Sequence, residues 1–335
     1  MRLRSLAPVL ICLMAIASLA ASDPPIGGEA LYDLYSPLFL GGGPSVTVSG
    51  APSADALNPA ANAALQRFTM EASYIALVGL GAEEGWGSVI NLGASLPKPA
   101  GVWGFGLRYL TMPETLGSMP VGNVLDARAT FAKDVYPNFW IGAGLHGTLG
   151  ARYTQDWGVG VDLGIMHRLG DFKAFKDFHY GIVLANLGKW FAPSGEGEEA
   201  TGPMNMDGAY PSPFTPKIGA GWDFFQKDGG RLSMTLDASF PFCQNAILDA
   251  GLALTIKDRV TIGTNYGINV RELIDDVPVS YYPSVYLSAS FPITTAKSKD
   301  AFLAKQGWDR SELRPVIAAK PMYNDIWAFG AGAVL

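Results

Sequence analysis

The sequence predicts an all-β fold, a transmembrane antiparallel β-barrel. Three observations predict it: a composition poor in charge and rich in glycine, a hydrophobic period of two, and connections that alternate short and long. Charged residues are 16% of the 335-residue chain, whereas soluble domains carry about 25%. There are 40 glycines, and aromatics make up 11%. A disordered chain needs high charge and few aromatics, so that class is excluded. The net charge of -6 argues against a nucleic-acid partner.

Residues 1–21 read as a secretory signal. Arg2 and Arg4 supply the positive start, and Leu6 to Leu19 form a largely apolar stretch. Ser18 and Ala20 place small residues where cleavage near Ala20 or Ala21 requires them. Removing that segment also removes Cys12, so Cys243 remains without an intramolecular partner. No later stretch of 18 apolar residues offers a transmembrane helix. A membrane-embedded chain of this kind must therefore close its backbone hydrogen bonds in a barrel.

From about residue 65 the chain alternates in segments of roughly ten residues, the length of a tilted membrane strand. Trp157, Val159, Val161, Leu163 and Ile165 share one face, opposite Gly158, Gly160, Asp162 and Gly164. Leu125, Ala127, Ala129 and Phe131 likewise oppose Asp126, Arg128 and Thr130. The same pattern recurs in 139–149, 231–240 and 248–256. Alternation also suits a soluble sandwich, so three further features decide. The strands are long. Aromatics such as Trp103, Tyr109, Phe139, Trp157 and Phe240 sit near strand ends, as in interfacial girdles. The second face carries glycine where a water-facing surface would carry Lys and Glu, which points to a crowded interior.

Strands are expected near 66–78, 86–96, 102–112, 123–133, 139–149, 156–168, 178–187, 216–225, 231–240, 247–257, 259–269, 279–291 and 323–335. Bacterial barrels usually have an even number, so fourteen are expected. The missing strand falls within Leu40–Gly50 or Arg314–Lys320, unless the chain lacks its last one. Segment 292–319 breaks the rhythm and reads as a periplasmic rim segment, with a short helix over Asp300–Lys305. Short connections such as 134–138, 226–230 and 257–259 are assigned to the periplasmic side, and longer ones such as 112–123 and 188–216 to the outside.

The stretch Ser53-Ala54-Asp55-Ala56-Leu57-Asn58-Pro59-Ala60-Ala61 precedes the first barrel strand and resembles the Asn-Pro-Ala motif of FadL-type outer-membrane transporters. Gly41–Gly43, the segment 157–164 and the segment 181–188 resemble further signatures of FadL-like and, more distantly, PorV-like proteins. The nearest likeness is to the FadL-like barrels of spirochaetes, over most of residues 40–291. Leu57 and Ala61 depart from the family's usual aromatic and glycine.

The resemblance implies a hatch, residues 22–64, in the lumen of a barrel spanning 65–335. It implies passive transport of hydrophobic molecules across the bacterial outer membrane, typically long-chain fatty acids. An external groove captures the solute, a hatch movement passes it on, and a lateral opening releases it. Asn58, Pro59 and Ala60 carry the hatch motif. The expected ligand contacts are Leu31, Tyr35 and Phe39 in the hatch, and Trp190, Phe191, Tyr210 and Phe214 in the long external loop. Arg108 and Arg128 on the luminal face are expected to meet a carboxylate. Each of these positions also has a plain structural reading, as packing or as interior ion pairs. His146 faces the lumen without neighbours at metal-ligand spacing.

The sequence has no Gly-x-Ser-x-Gly and no His-Glu-x-x-His, and Gly79-Leu80-Gly81 joins two strands rather than a strand and a helix. No enzyme, metal or cofactor is expected. The expected partners are a hydrophobic solute, outer-membrane lipid and the barrel assembly machinery. The alternative is a PorV-like structural or secretion-partner barrel without solute transport.

Overall fold

The structure is a computed structural model and describes residues 34–80, 85–112, 122–151, 155–189, 214–274, 282–293, 311–322 and 325–335. The expected signal segment 1–21 and the expected helix at 300–305 lie outside the described residues. Strands β1 (Thr69–Gly79), β2 (Gly85–Lys98), β3 (Gly101–Thr111), β4 (Asn123–Tyr136), β5 (Phe139–Ala151), β6 (Gln155–Phe172) and β7 (Phe175–Lys189) follow one another as antiparallel neighbours. They continue through β8 (Thr215–Lys227), β9 (Gly230–Ser239), β10 (Ile247–Ile256) and β11 (Val260–Asn269). The sheet ends with β12 (Ser284–Ala289), β13 (Phe291–Ile293), β14 (Ser311–Pro321) and β15 (Ile326–Val334).

The sheet closes on itself. β1 pairs with β15, Ile75 opposite Gly330, and β12 pairs with β14, Leu287 opposite Ile317. β12 and β13 lie end to end and both pair with β14, so the 15 segments make fourteen wall strands. Closure removes the free edges that an open sheet would expose. The missing strand is thus the one containing Arg314–Lys320. Leu40–Gly50 is not a strand but a helix end and turn inside the barrel. The expected rim segment 292–319 is correspondingly shorter, because 311–319 belong to β14. Pro315 and Pro321 in that strand masked its period, since proline is unusual within sheets.

Short hairpins at one end use residues with positive φ. Asp228 and Gly229 (φ 53° and 73°) and Lys257 and Asp258 (both 53°) are left-handed pairs, which match the twist of the flanking strands.

Side chains alternate across the wall. Leu92, Phe105, Leu107, Leu145, Leu163 and Ile262 are among the many large apolar residues left exposed on the outside. An apolar patch of this extent is not tolerated on a water-soluble monomer, and it forms the lipid-facing belt of a membrane barrel. Trp86, whose Nε1 donates to Tyr74 Oη at 3.3 Å, and Trp157, with Lys189 Nζ 3.8 Å from its ring centre, lie near the long-connection end. Trp103 packs at a tilt against Phe131, and Phe178 stacks with Trp222, near the other end. The two sets give amphipathic rings to the two interfaces. No helix among the described residues is long and apolar enough to cross a membrane.

Candidate functional site

Residues 34–64 fill the lumen. They contain a short helix α1 (Pro37–Gly42) and two 3₁₀ turns, Pro52–Ala56 and Ala61–Ala64. Ser36 caps α1 with its side chain, which accepts from Leu38 N, and Pro37 at the first helical position needs no donor. Tyr35, Phe39, Ala54, Ala56, Leu57 and Ala61 make a small apolar core of the segment's own. Phe39, expected as a ligand contact, is fully buried in that core.

The wall holds this segment at points around the barrel. On β1, Glu71 accepts from Ser36 Oγ at 2.6 Å and from Ser53 N at 2.9 Å, so one carboxylate fixes two separate turns. On β2, Asn91 Nδ2 donates to Leu34 O at 3.0 Å. On β9, Asp237 Oδ1 accepts from Val46 N at 2.9 Å. Ser284 Oγ donates to Gly41 O at 3.1 Å, and the Arg314 guanidinium donates to Gly50 O. These bonds satisfy backbone groups that burial would otherwise leave unpaired.

The Asn-Pro-Ala motif sits where the segment meets β5 to β7. Asn58 Nδ2 donates to Val46 O at 2.8 Å and to Ile165 O at 3.0 Å, while its Oδ1 accepts from Ala60 N at 3.0 Å. One side chain therefore ties the segment to itself, to the wall and to its next turn. Pro59 and Asn58 rest directly on Gly142 and Gly164. A β-carbon at Gly181 would come 2.8 Å from Val46 O and 3.0 Å from Asn58 Nδ2. Ala60 packs fully buried against Trp140, Met166 and Ala132. The luminal glycines are thus the cleared track on which the segment lies.

A charged waist crosses the middle of the lumen. Arg108 and Asp126 are cross-strand partners on β3 and β4. Arg128 Nη2 lies 3.6 Å from Asp126 Oδ1, and its Nη1 lies 3.9 Å from Asp55 Oδ1. Thr130 Oγ1 donates to Asp55 Oδ2 at 2.9 Å and Thr148 Oγ1 to Asp126 Oδ2 at 3.0 Å. Asp55 belongs to the luminal segment, and burial pushes its carboxyl up to about 6, against the pull of Arg128 and the Thr130 hydroxyl. His146 Nε2 lies 3.6 Å from Asp162 Oδ1, which accepts from Asn186 N at 2.8 Å. That last bond captures the backbone of a bulge in β7, where Asn186 has φ 59°.

Tyr35 stands in this waist. Its hydroxyl accepts from Arg128 Nη2 at 2.8 Å and donates to Asp126 Oδ1 at 3.4 Å. The Arg108 and Arg128 guanidinium carbons lie 4.0 and 4.6 Å from its ring centre. Tyr35, Arg108 and Arg128, all expected at the site, come together here. Phe214 lies apart, at the start of β8, donating its N–H to Asn186 O at 3.1 Å. Leu31, Trp190, Phe191 and Tyr210 lie outside the described residues.

The luminal face is not polar throughout. Toward the long-connection end Ile75, Leu77, Val89, Leu110, Val124 and Ile326 point inward and pack with Leu34 and Leu40. In β1 the run Tyr74–Val78 is apolar on both faces, so alternation fails there. The cause is an apolar plug rather than water in that part of the lumen.

Between β1 and β3 the wall carries a hollow on each of its two faces. Gly93 on β2 lies opposite Gly106 on β3. On the luminal side a cavity of about 20 Å³ is lined by Tyr35, Glu71, Gly93, Gly106 and Arg128, among others. On the outer side a depression of about 490 Å³ is lined by Met70, Ala72, Leu92, Ala94, Phe105, Leu107 and Leu335, and it reaches Glu71, Gly93 and Gly106. The same glycine pair borders both. Glu71, Asn91, Gly93 and Gly106 were not among the residues expected at the site. Their luminal parity was readable for Glu71 and Asn91, but the opposition of the two glycines depends on register.

No protein-family model matches the chain, and no curated protein sequence matches it. Among solved structures the chain is similar to the toluene transporter TodX of Pseudomonas putida, with 12% identity, 89% of this chain and 95% of that chain covered, and a TM-score of 0.52. It is similar to CymD, described as a monoaromatic hydrocarbon channel, with 12% identity, coverage of 90% and 96%, and a TM-score of 0.51. The toluene transporter TbuX of Ralstonia pickettii gives 11% identity, 90% and 96% coverage, and a TM-score of 0.50. At these identities the likeness is one of fold. The chain shares the barrel fold of these hydrocarbon channels, a barrel being the fold that the Asn-Pro-Ala resemblance implies.

Proposed function

We propose that the protein is an outer-membrane channel for small hydrophobic molecules, which enter from the long-connection side, pass the luminal segment and leave sideways through the wall at Gly93 and Gly106. The observation that carries this reading is the pair of hollows on opposite faces of the wall. A luminal cavity and an apolar outer depression border the same glycine pair. A solute released there goes from a protein interior to lipid without crossing water, which suits an apolar molecule. The luminal cavity holds little more than one water, so passage requires the segment around Tyr35 to shift. The hydrocarbon channels that share the fold support an apolar cargo. A long-chain fatty acid, the cargo the family resemblance implies, is the other candidate for the same path.

The test is transport in proteoliposomes with labelled toluene and labelled palmitate. Gly106→Leu is the informative variant, because a β-carbon there meets only Arg128 Cβ, at 3.9 Å. Its side chain points into the cavity without striking backbone. Expected is loss of at least about tenfold in uptake with the barrel still heat-modifiable. Unchanged uptake of both solutes sinks the lateral route. A PorV-like scaffold role is favoured if neither solute is transported by the unmodified protein.

A further inference from the structure

We infer that the guanidinium cage around Tyr35 is a site for small neutral phenols, and that Tyr35 occupies it as a built-in stand-in for such a solute. This rests on the reading that hydrophobic solutes enter the lumen, and it names their class.

The cage belongs to the wall, whereas its occupant belongs to the luminal segment. Arg108 and Asp126 are held opposite one another by strand register, and Thr148 fixes the second oxygen of Asp126. Arg128 stands beside the same carboxylate at 3.6 Å. Withdrawing Tyr35 leaves these three side chains in place. They present a donor 2.8 Å and an acceptor 3.4 Å from where the phenol oxygen lies, with two flat cations against the ring. Water-sized cavities of about 20 and about 10 Å³ border Tyr35 on two sides. Each holds about one water, so the ring leaves the cage only when the segment around Tyr35 shifts.

The charge balance selects the class. The two guanidiniums already face two carboxylates, those of Asp126 and Asp55. A third carboxylate would leave a buried net negative charge, which is strongly unfavourable unless compensated. A neutral phenol adds no charge and uses the donor and the acceptor together. Its ring gains from the cations, and an alkyl chain does not. A plain hydrocarbon such as toluene has the ring but leaves the polar pair unmatched, a difference of about tenfold or more in affinity.

The experiment measures binding of p-cresol, toluene and palmitate to the full-length protein, refolded in detergent. The unmodified protein is expected to bind p-cresol at least about tenfold more tightly than toluene. Tyr35→Ala removes the competing occupant and should tighten p-cresol further, since an occluded site lowers apparent affinity. Tyr35→Phe keeps the packing, drops only the hydroxyl, and should tighten p-cresol by a smaller factor. Asp126→Asn should lower the p-cresol to toluene ratio. The inference is overturned if folded, heat-modifiable protein and Tyr35→Phe both bind p-cresol and toluene within about threefold of each other. If toluene is transported but p-cresol is not preferred, only the phenol site falls. If none of the three solutes binds or crosses, the transport reading falls with it.

Discussion

Glycines line the lumen on both sides of the barrel, but they do opposite things. On β5 to β7, Gly142, Gly164 and Gly181 are pressed by Pro59, Asn58 and Val46, so the absent side chains are replaced by the luminal segment. On β3, Gly106 meets nothing closer than Arg128 Cβ at 3.9 Å, so its absent side chain is replaced by a cavity, although its partner Gly93 lies under Pro52, whose Cβ is 2.8 Å from where a β-carbon would stand. The first arrangement is a clamp and the second is a gap. The motion that passage requires is therefore expected beside β1 to β3, with the β5 to β7 contact as its fixed point.

Changes on the clamp and the waist should be the most damaging. Gly164→Val drives its side chain into those of Asn58 and Pro59, and overpacking of this kind costs about 1–3 kcal/mol. The expected outcome is a folded barrel whose segment 34–64 becomes open to protease. Wild-type protection in that variant would break the contrast. Arg128→Met leaves Asp55 without its cation and Asp126 with Arg108 alone. Removing one partner of a buried pair costs about 3–5 kcal/mol, read as a lower temperature for the heat-modifiable shift in detergent.

Asn58→Ala should rank next. It leaves Val46 O and Ile165 O without this donor, at about 1–3 kcal/mol for an unsatisfied buried group. Glu71→Gln, beside the gap, keeps one acceptor and should loosen docking by about 1 kcal/mol. If transport assays show Glu71→Gln faster and Asn58→Ala unchanged, the gap and clamp roles stand. The reverse order would exchange them.

A smaller effect is expected from pH. Asp55 sits at about 6 when docked, above its ordinary 3.8. A carboxyl with a raised value stabilises docking fully below the ordinary value, and that contribution is lost as pH rises through about 6. Protease protection of the segment should thus be greater at pH 4 than at pH 7, and Asp55→Asn should flatten the difference. The least effect belongs to Gly147→Leu on β5, which points outward with nothing within 4 Å. In lipid it should change stability by no more than about 0.5 kcal/mol, which separates outer from luminal glycines.

Much of this was readable in the order of residues. A tilted strand in lipid must alternate over ten residues or so, and segments such as 125–131 and 157–165 do. Thirteen strands followed from that rule. β14 did not, because Pro315 and Pro321 interrupt its period and its pairing comes from β12 and β15, distant in sequence. Luminal parity placed Arg108, Asp126, Arg128 and His146 correctly, since one residue's shift would turn a strand inside out. The Asn-Pro-Ala motif lies in the segment that occupies the lumen.

Parity says only which way a side chain points, not what meets it. That Arg108 and Arg128 close on Tyr35, that Glu71 holds both Ser36 and Ser53, and that Gly93 faces Gly106 are contacts between distant stretches of chain. Register and barrel closure create them. The sequence by itself determined the lipid-facing belt and the inward set of residues, because period two is a local property of the strand. Only the tertiary structure decided which inward glycines are filled and which leave a gap, because that depends on where the luminal segment lies.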